Sequence, residues 1–137
     1  MAQTRSSRMA IVLNLAQKEE ENAAQSLNIA RQQLLSEQEQ LQQLDDYRNQ
    51  YLADYSVSSA PRNAQQLINY SSFIQRIDQL KLERSQKVER AERVVVKAQT
   101  VWQQLYQKRK SIADLIERYK VEEQLAIDKK LQKELDP

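Results

Sequence analysis

The sequence predicts an all-α fold: two long helices forming an antiparallel coiled-coil hairpin, the C-terminal helix the longer. Three observations carry that prediction. In 137 residues there is no glycine and there are only two prolines, so tight strand turns have no residue to build them and helices have almost nothing to stop them. Apolar residues recur with a seven-residue period over nearly the whole chain. One serine-rich stretch, Ser56-Val57-Ser58-Ser59-Ala60-Pro61, interrupts the period.

The first helix is expected from about residue 7 to about residue 55, opening near Ser6 or Ser7. One heptad row, labelled a, runs through Leu13, Glu20, Leu27, Leu34, Leu41, Arg48 and Tyr55. Its companion d row runs through Ala16, Ala23, Ala30, Glu37, Leu44 and Tyr51. The seam is mostly apolar but is broken by charge at Glu20, Glu37 and Arg48.

The turn is expected at about 56–61, because serines disfavour a helix interior and Pro61 holds Ala60 out of the helical region. Pro61 also suits the first position of a new helix. That second helix should run from about 62 to about 135. Its a row is Leu67, Ile74, Lys81, Val88, Val95, Trp102, Arg109, Ile116 and Glu123, and its d row is Tyr70, Ile77, Arg84, Ala91, Ala98, Leu105, Ile112, Tyr119 and Ala126. The whole chain, 1–137, reads as a single coiled-coil hairpin domain.

Centring the turn near Ser59 sets which layers meet. Tyr51 then faces Leu67, Arg48 faces Tyr70, Leu44 faces Ile74, Glu37 faces Lys81 and Ala16 faces Trp102. Glu37 and Lys81 have opposite charge, and polar seam residues can fix register. The tryptophan against an alanine is a large-with-small match. In this register the first helix runs out opposite Ile112, and residues beyond about Ala113 overhang as a lone helix carrying Leu115, Ile116, Tyr119, Leu125, Ile127 and Leu131. A lone helix gains little from apolar residues, so the overhang awaits a partner.

Composition excludes several functions. With no histidine and no cysteine, the chain lacks the usual zinc ligands, thiol nucleophiles and imidazole bases. It has no glycine-rich phosphate loop, and no cofactor is expected. The net charge of +2 is spread in both signs, so there is no long basic stripe of the kind nucleic acid requires. Lys108-Arg109-Lys110 reads as a solvated turn of helix. Asp45 and Asp46 are adjacent on a helix, cannot face one another, and read as a solvated charge pair. No segment approaches the length of a membrane span, and the apolar run Met9–Leu13 is too short for a signal peptide, so the expected address is the cytoplasm.

One surface remains to be explained. Gln40, Tyr47, Phe73 and Leu80 flank the seam at g positions, and an antiparallel hairpin brings the g rows together. With Leu44, Tyr51, Ile77 and Arg84 they form a mostly apolar, aromatic strip near the hairpin tip. Clustered exposed aromatics mark partner sites, although the same rings could simply broaden the core.

The tip carries a family resemblance. Leu44-Asp45-Asp46-Tyr47-Arg48-Asn49-Gln50-Tyr51 and Ile68-Asn69-Tyr70-Ser71-Ser72-Phe73-Ile74-Gln75 resemble the bacterial flagellar export protein FliJ family. The resemblance covers nearly the whole chain in length and layout and is most specific at the tip. It implies a non-enzymatic stalk-like component of the flagellar type III export apparatus that links the hexameric export ATPase ring to the export-gate protein FlhA and meets export chaperones. Carried over by position, it implies gate binding by Gln40, Leu44, Tyr47, Tyr51, Phe73, Ile77, Leu80 and Arg84. The matching expectation for the open end is that Met9, Leu13, Ile112, Leu115, Ile116 and Tyr119 seat the chain in the ATPase ring. The resemblance also implies a cytoplasmic protein held peripherally at the inner membrane through the export apparatus. The alternatives are the equivalent stalk of a virulence-type III secretion system, or a generic dimerising structural coiled coil.

Overall fold

The computed structural model describes residues 3–57 and 62–136. It contains two helices, α1 (Arg5–Val57) and α2 (Ala64–Leu135). Cross-helix partners descend along α1 as they ascend along α2, from Arg48 with Asp78 through Asp45 with Lys81 to Glu37 with Arg84. The two helices are therefore antiparallel, and the second is the longer.

Both helices begin on side-chain caps. Thr4 Oγ1 accepts from the Ser7 N–H at 3.2 Å, so α1 opens at Arg5. At α2, Asn63 Oδ1 accepts from the Gln66 N–H at 2.8 Å and Gln66 Oε1 accepts from the Asn63 N–H at 3.0 Å. This reciprocal capping box places the start of α2 at Ala64. Ser56 and Val57, assigned above to the turn, are the last residues of α1; Ser56 Oγ donates to the Ala53 carbonyl at 3.0 Å and does not break the helix. Ser58, Ser59, Ala60 and Pro61, the rest of the expected turn, lie outside the described residues.

Contacts divide the chain into two compact units, one made of Met1–Leu27 with Ala98–Pro137 and the other of Asn28–Lys97. The buried side chains of the tip unit, Asn28–Lys97, are Ala30, Ile77, Val88 and Ala91. Those of the other, open-end unit are Ala16, Ala23, Leu27 and Ile116. Every one of them belongs to an a or d row, so the phase of both helices is the one the heptads predict.

The layer-by-layer pairing is not. In the tip unit Tyr70 stacks on Tyr55 at 3.6 Å, where Arg48 was expected. Lys81 is bound to Asp45, not to Glu37, and Glu37 lies against Arg84 instead. Leu67, expected opposite Tyr51, is half exposed. In the open-end unit Arg109 is paired with Glu20 and Lys108 with Glu19, which carries Trp102 away from Ala16; the indole stacks on Tyr106 of its own helix at 5.5 Å. In each unit the pairing is displaced by about one heptad from expectation. The overhang begins correspondingly later. Ser6 meets Glu123, so Leu115, Ile116 and Tyr119 lie alongside α1 and not beyond it.

The reason is physical. A seven-residue repeat fixes which residues enter the seam, but a slide of seven residues leaves the same rows facing each other. Hydrophobic periodicity therefore determines register only modulo one heptad, and the cross-helix charges decide between the permitted values.

Candidate protein-docking surface

The tip unit carries a ladder of rings. Tyr47, Tyr51 and Tyr55 are spaced four apart on α1, and Tyr70 and Phe73 three apart on α2, so each set lies along one helix face. Tyr55 and Tyr70 are stacked; Tyr51 lies 5.6 Å from Tyr70 and 4.2 Å from Phe73; Tyr47 meets the edge of Phe73 at 6.0 Å with the ring planes 66° apart. The Arg62 guanidinium closes the series, 3.4 Å from the centre of the Tyr55 ring and hydrogen-bonded to the Tyr55 carbonyl. Each such aromatic pair adds roughly 0.5–1.5 kcal/mol beyond its buried area.

The structure sorts the eight residues of the expected strip. It brings Tyr47, Tyr51 and Phe73 into mutual contact. Ile77 is only 3% exposed and is a core residue of the hairpin. Leu44, Tyr51, Phe73 and Gln40 are half-buried, with Gln40 donating to Ser36 Oγ at 3.4 Å. Arg84 is held against Glu37, Nη1 to Oε2 at 3.6 Å. The members that face outward are Tyr47, 55% exposed, and Leu80, 43% exposed. Tyr47 thus packs against Phe73 and remains more than half exposed. Arg62, Tyr55 and Tyr70, which complete the ladder, were not assigned to the strip. The available signal was the arginine directly after Pro61, within reach of the last ring before the turn.

Charge borders the ladder. Lys81 Nζ lies 2.6 Å from Asp45 Oδ1 and Arg48 Nε lies 2.7 Å from Asp78 Oδ1. The Lys81 hydrogen bond, and then its positive charge, hold the Asp45 carboxyl below its usual range. Asp46 accepts from Gln42 on its own helix. The adjacent aspartates therefore have separate partners.

The open-end unit is described separately. Ile116 is buried, and Met9, Leu13, Ile112, Leu115 and Tyr119 are half-buried. The Arg5 guanidinium sits 5.5 Å over the Tyr119 ring. Ser6 donates to Glu123 twice, from its hydroxyl at 2.7 Å and from its backbone N–H at 3.1 Å. Those two bonds, the hydroxyl first, hold the Glu123 carboxyl below its usual range. Beyond this clasp α2 continues with Leu125, Ile127, Leu131 and Leu135 all exposed.

Among the described residues there is no group of three or more metal-ligating side chains, and no helix is long and apolar enough to cross a membrane. What the tip offers is aromatic and aliphatic area beside fixed charge, a surface suited to another protein.

A family model described as flagellar FliJ protein matches residues 5–137, taking in α1 from its first residue and all of α2. The chain belongs to the flagellar FliJ protein family. It is 31% identical over 129 residues to the flagellar FliJ protein of Escherichia coli, a match that covers 93% of this chain and 88% of that one. No solved structure matches it. For this FliJ-family hairpin, the match spans the aromatic ladder and the Ser6–Glu123 clasp alike.

Proposed function

We propose that this chain, a flagellar export component by family, is a non-enzymatic coupling element of the flagellar type III export apparatus. In this reading the tip surface contacts the export-gate protein FlhA in its cytoplasmic region. The open end seats in the hexameric export ATPase ring, and export chaperones bind the same chain. The chain works in the cytoplasm and is held at the inner membrane through these partners. Its mechanical element is the paired seam, which passes displacement at one end of a helix along its length.

The observation that carries the gate assignment is the exposed Tyr47 resting on Phe73, with Leu80 beside them on the same row. The a and d residues fill the seam without these side chains, and aromatic rings left outside a filled core are a frequent source of binding energy. Gln40, Leu44, Tyr51, Ile77 and Arg84 support the surface from beneath and alongside. For the ring, Met9, Leu13, Ile112, Leu115, Ile116 and Tyr119 form the packed base of the open end, and Leu125, Ile127 and Leu131 are the outward residues available for contact.

The test is a binding titration of the FlhA cytoplasmic region with the wild-type chain and with Tyr47→Ala/Phe73→Ala. The double variant should bind at least about tenfold more weakly with helicity preserved, a loss typical of a pair of aromatic anchors. Equal affinity of the two proteins would remove the tip assignment.

A further inference from the structure

We propose that the tip unit, Asn28–Lys97, has a second pairing one heptad away from the one described, and that Glu37 selects between the two by exchanging Arg84 for Lys81. A slide of seven residues leaves the same a and d rows of the two helices facing each other, so the apolar pattern does not forbid it.

Two residues are poorly placed in the described register. Leu67 is an a-row residue yet 51% exposed. Glu37 is a d-row residue whose Oε2 is buried without a hydrogen bond, the nearest cation being Arg84 Nη1 at 3.6 Å. The same slide repairs both. It brings Tyr51 opposite Leu67 and Glu37 opposite Lys81, while Leu44 moves from the Lys81 layer to Ile74.

The slide breaks the Lys81–Asp45 and Arg48–Asp78 pairs and the Tyr55–Tyr70 stack. Both ion pairs are partly exposed, and pairs of that kind contribute little. The opposite slide is blocked: it would set Arg48 across from Arg84 inside the seam, two like charges with no carboxylate between them. The alternative pairing therefore has one direction only. Moving along it shifts Tyr51 and Tyr55 past Tyr70 and Phe73 by roughly 10 Å of helix, which rebuilds the aromatic face. A ligand seated on either form of that face would bias the register beneath it, and a change of register would remodel the face. This inference does not depend on what binds the tip.

The chain has no cysteine of its own, so disulfide trapping reads the register directly. A disulfide requires Cα atoms within about 7 Å, less than the length of one heptad. Three double variants share one partner. Leu44→Cys/Lys81→Cys reports the described pairing, Leu44→Cys/Ile74→Cys the proposed one, and Leu44→Cys/Val88→Cys the slide in the blocked direction. In a glutathione redox buffer the first two should close within the monomer, and the third should lag at least about tenfold, since nothing brings its thiols within reach. Adding Glu37→Leu should slow closure of the Ile74 pair several-fold, because it removes the ion pair that register gains. The inference fails if only the Lys81 pair closes, or if the Ile74 and Val88 pairs close at equal rates, which is what unselective opening would give. Should Leu44→Cys disturb the fold, the set Leu41→Cys with Arg84→Cys, Ile77→Cys and Ala91→Cys asks the same question one layer away.

Discussion

Lys81 donates to Asp45 across the two helices at 2.6 Å and leaves Glu37 to Arg84. Asp45 lies beside the seam, next to Leu44 of the d row, and not in it. A charge flanking the seam thus captures a lysine that the heptad row itself would offer to a different carboxylate. Arg48 with Asp78 repeats the arrangement with the helices exchanged, a seam cation on α1 held by a flanking carboxylate on α2. Each pair is weak alone, but both favour the same register. Apolar rows bring the helices together, and flanking charge decides how far along each other they sit.

These pairs predict an acid sensitivity with a definite sign. Lys81 lowers the Asp45 carboxyl, and Ser6 lowers the Glu123 carboxyl, relative to their ordinary values of 3.8 and 4.5. A carboxyl depressed by folding stabilises the native state above its unfolded value, and that contribution is lost as pH falls through the folded value. Asp45→Asn and Glu123→Gln should each melt below wild type at neutral pH, and the difference should vanish by roughly pH 2. Thermal melts by circular dichroism at several pH values give the comparison. A gap that stays constant down to the acid limit would show that the carboxylates act by something other than charge.

Glu37 predicts a change in the other direction. Its side chain is 13% exposed and one oxygen has no hydrogen bond. A buried acceptor left unmade costs about 1–3 kcal/mol. Glu37→Leu should therefore stabilise the hairpin by about 1 kcal/mol, because Arg84 can turn its long side chain to water once released. Urea denaturation measures it. A loss of stability would mean that the Glu37–Arg84 layer holds the helices together more than its geometry allows.

How much of this was legible beforehand follows from particular residues. Ala16, Leu27, Ile77, Val88 and Ile116 were placed in the seam by their spacing alone, because a seven-residue period specifies one helix face and the buried residues had to lie on it. The side-by-side placement of Tyr47 and Phe73 was legible too, since both are g residues near the turn. The opposition of Lys81 to Glu37 was not, because the period is unchanged by a whole heptad. The information that settles it sits in Asp45 and Asp78, outside the rows that periodicity reads. The same error set the overhang too early, before the Ser6–Glu123 contact. α2 starts at Ala64, two residues past the expected position of about 62, because Asn63 and Gln66 form a capping box there, whereas Pro61 draws a boundary read from the sequence toward itself.

Ile77 and Leu80 separate the two roles within the tip strip. Both are aliphatic and three residues apart, but one is buried and the other 43% exposed. Ile77→Ala removes methyl groups from a filled layer and should cost about 2–5 kcal/mol. Leu80→Ala should change stability by no more than about 0.5 kcal/mol, as surface substitutions do. If the strip binds a partner, Leu80→Ala should weaken that binding at unchanged stability, whereas any binding loss in Ile77→Ala should follow its unfolding. Denaturation and binding measured on the same samples distinguish the two. Comparable destabilisation by both substitutions would place Leu80 in the core and withdraw it from the surface.

The capping box at Asn63 gives the last prediction. Its two bonds satisfy donors at the start of α2 that have no partner inside the helix, and they sit just past the turn, where the ladder ends in Arg62 and Tyr55. Asn63→Ala removes the acceptor for the Gln66 N–H and should destabilise the chain by about 1 kcal/mol. Asn63→Asp keeps an acceptor at a helix N-terminus, where negative charge is favoured, and should be neutral or stabilising. Gln66→Ala should cost less than Asn63→Ala, because the Asn63 N–H lies at an exposed position and can turn to water. Amide exchange reads the same effect locally: Asn63→Ala should speed exchange over the first turn of α2 without touching Ile77 or Val88. If exchange instead quickened across the whole unit, the cap would be holding the two helices together and not merely starting one of them.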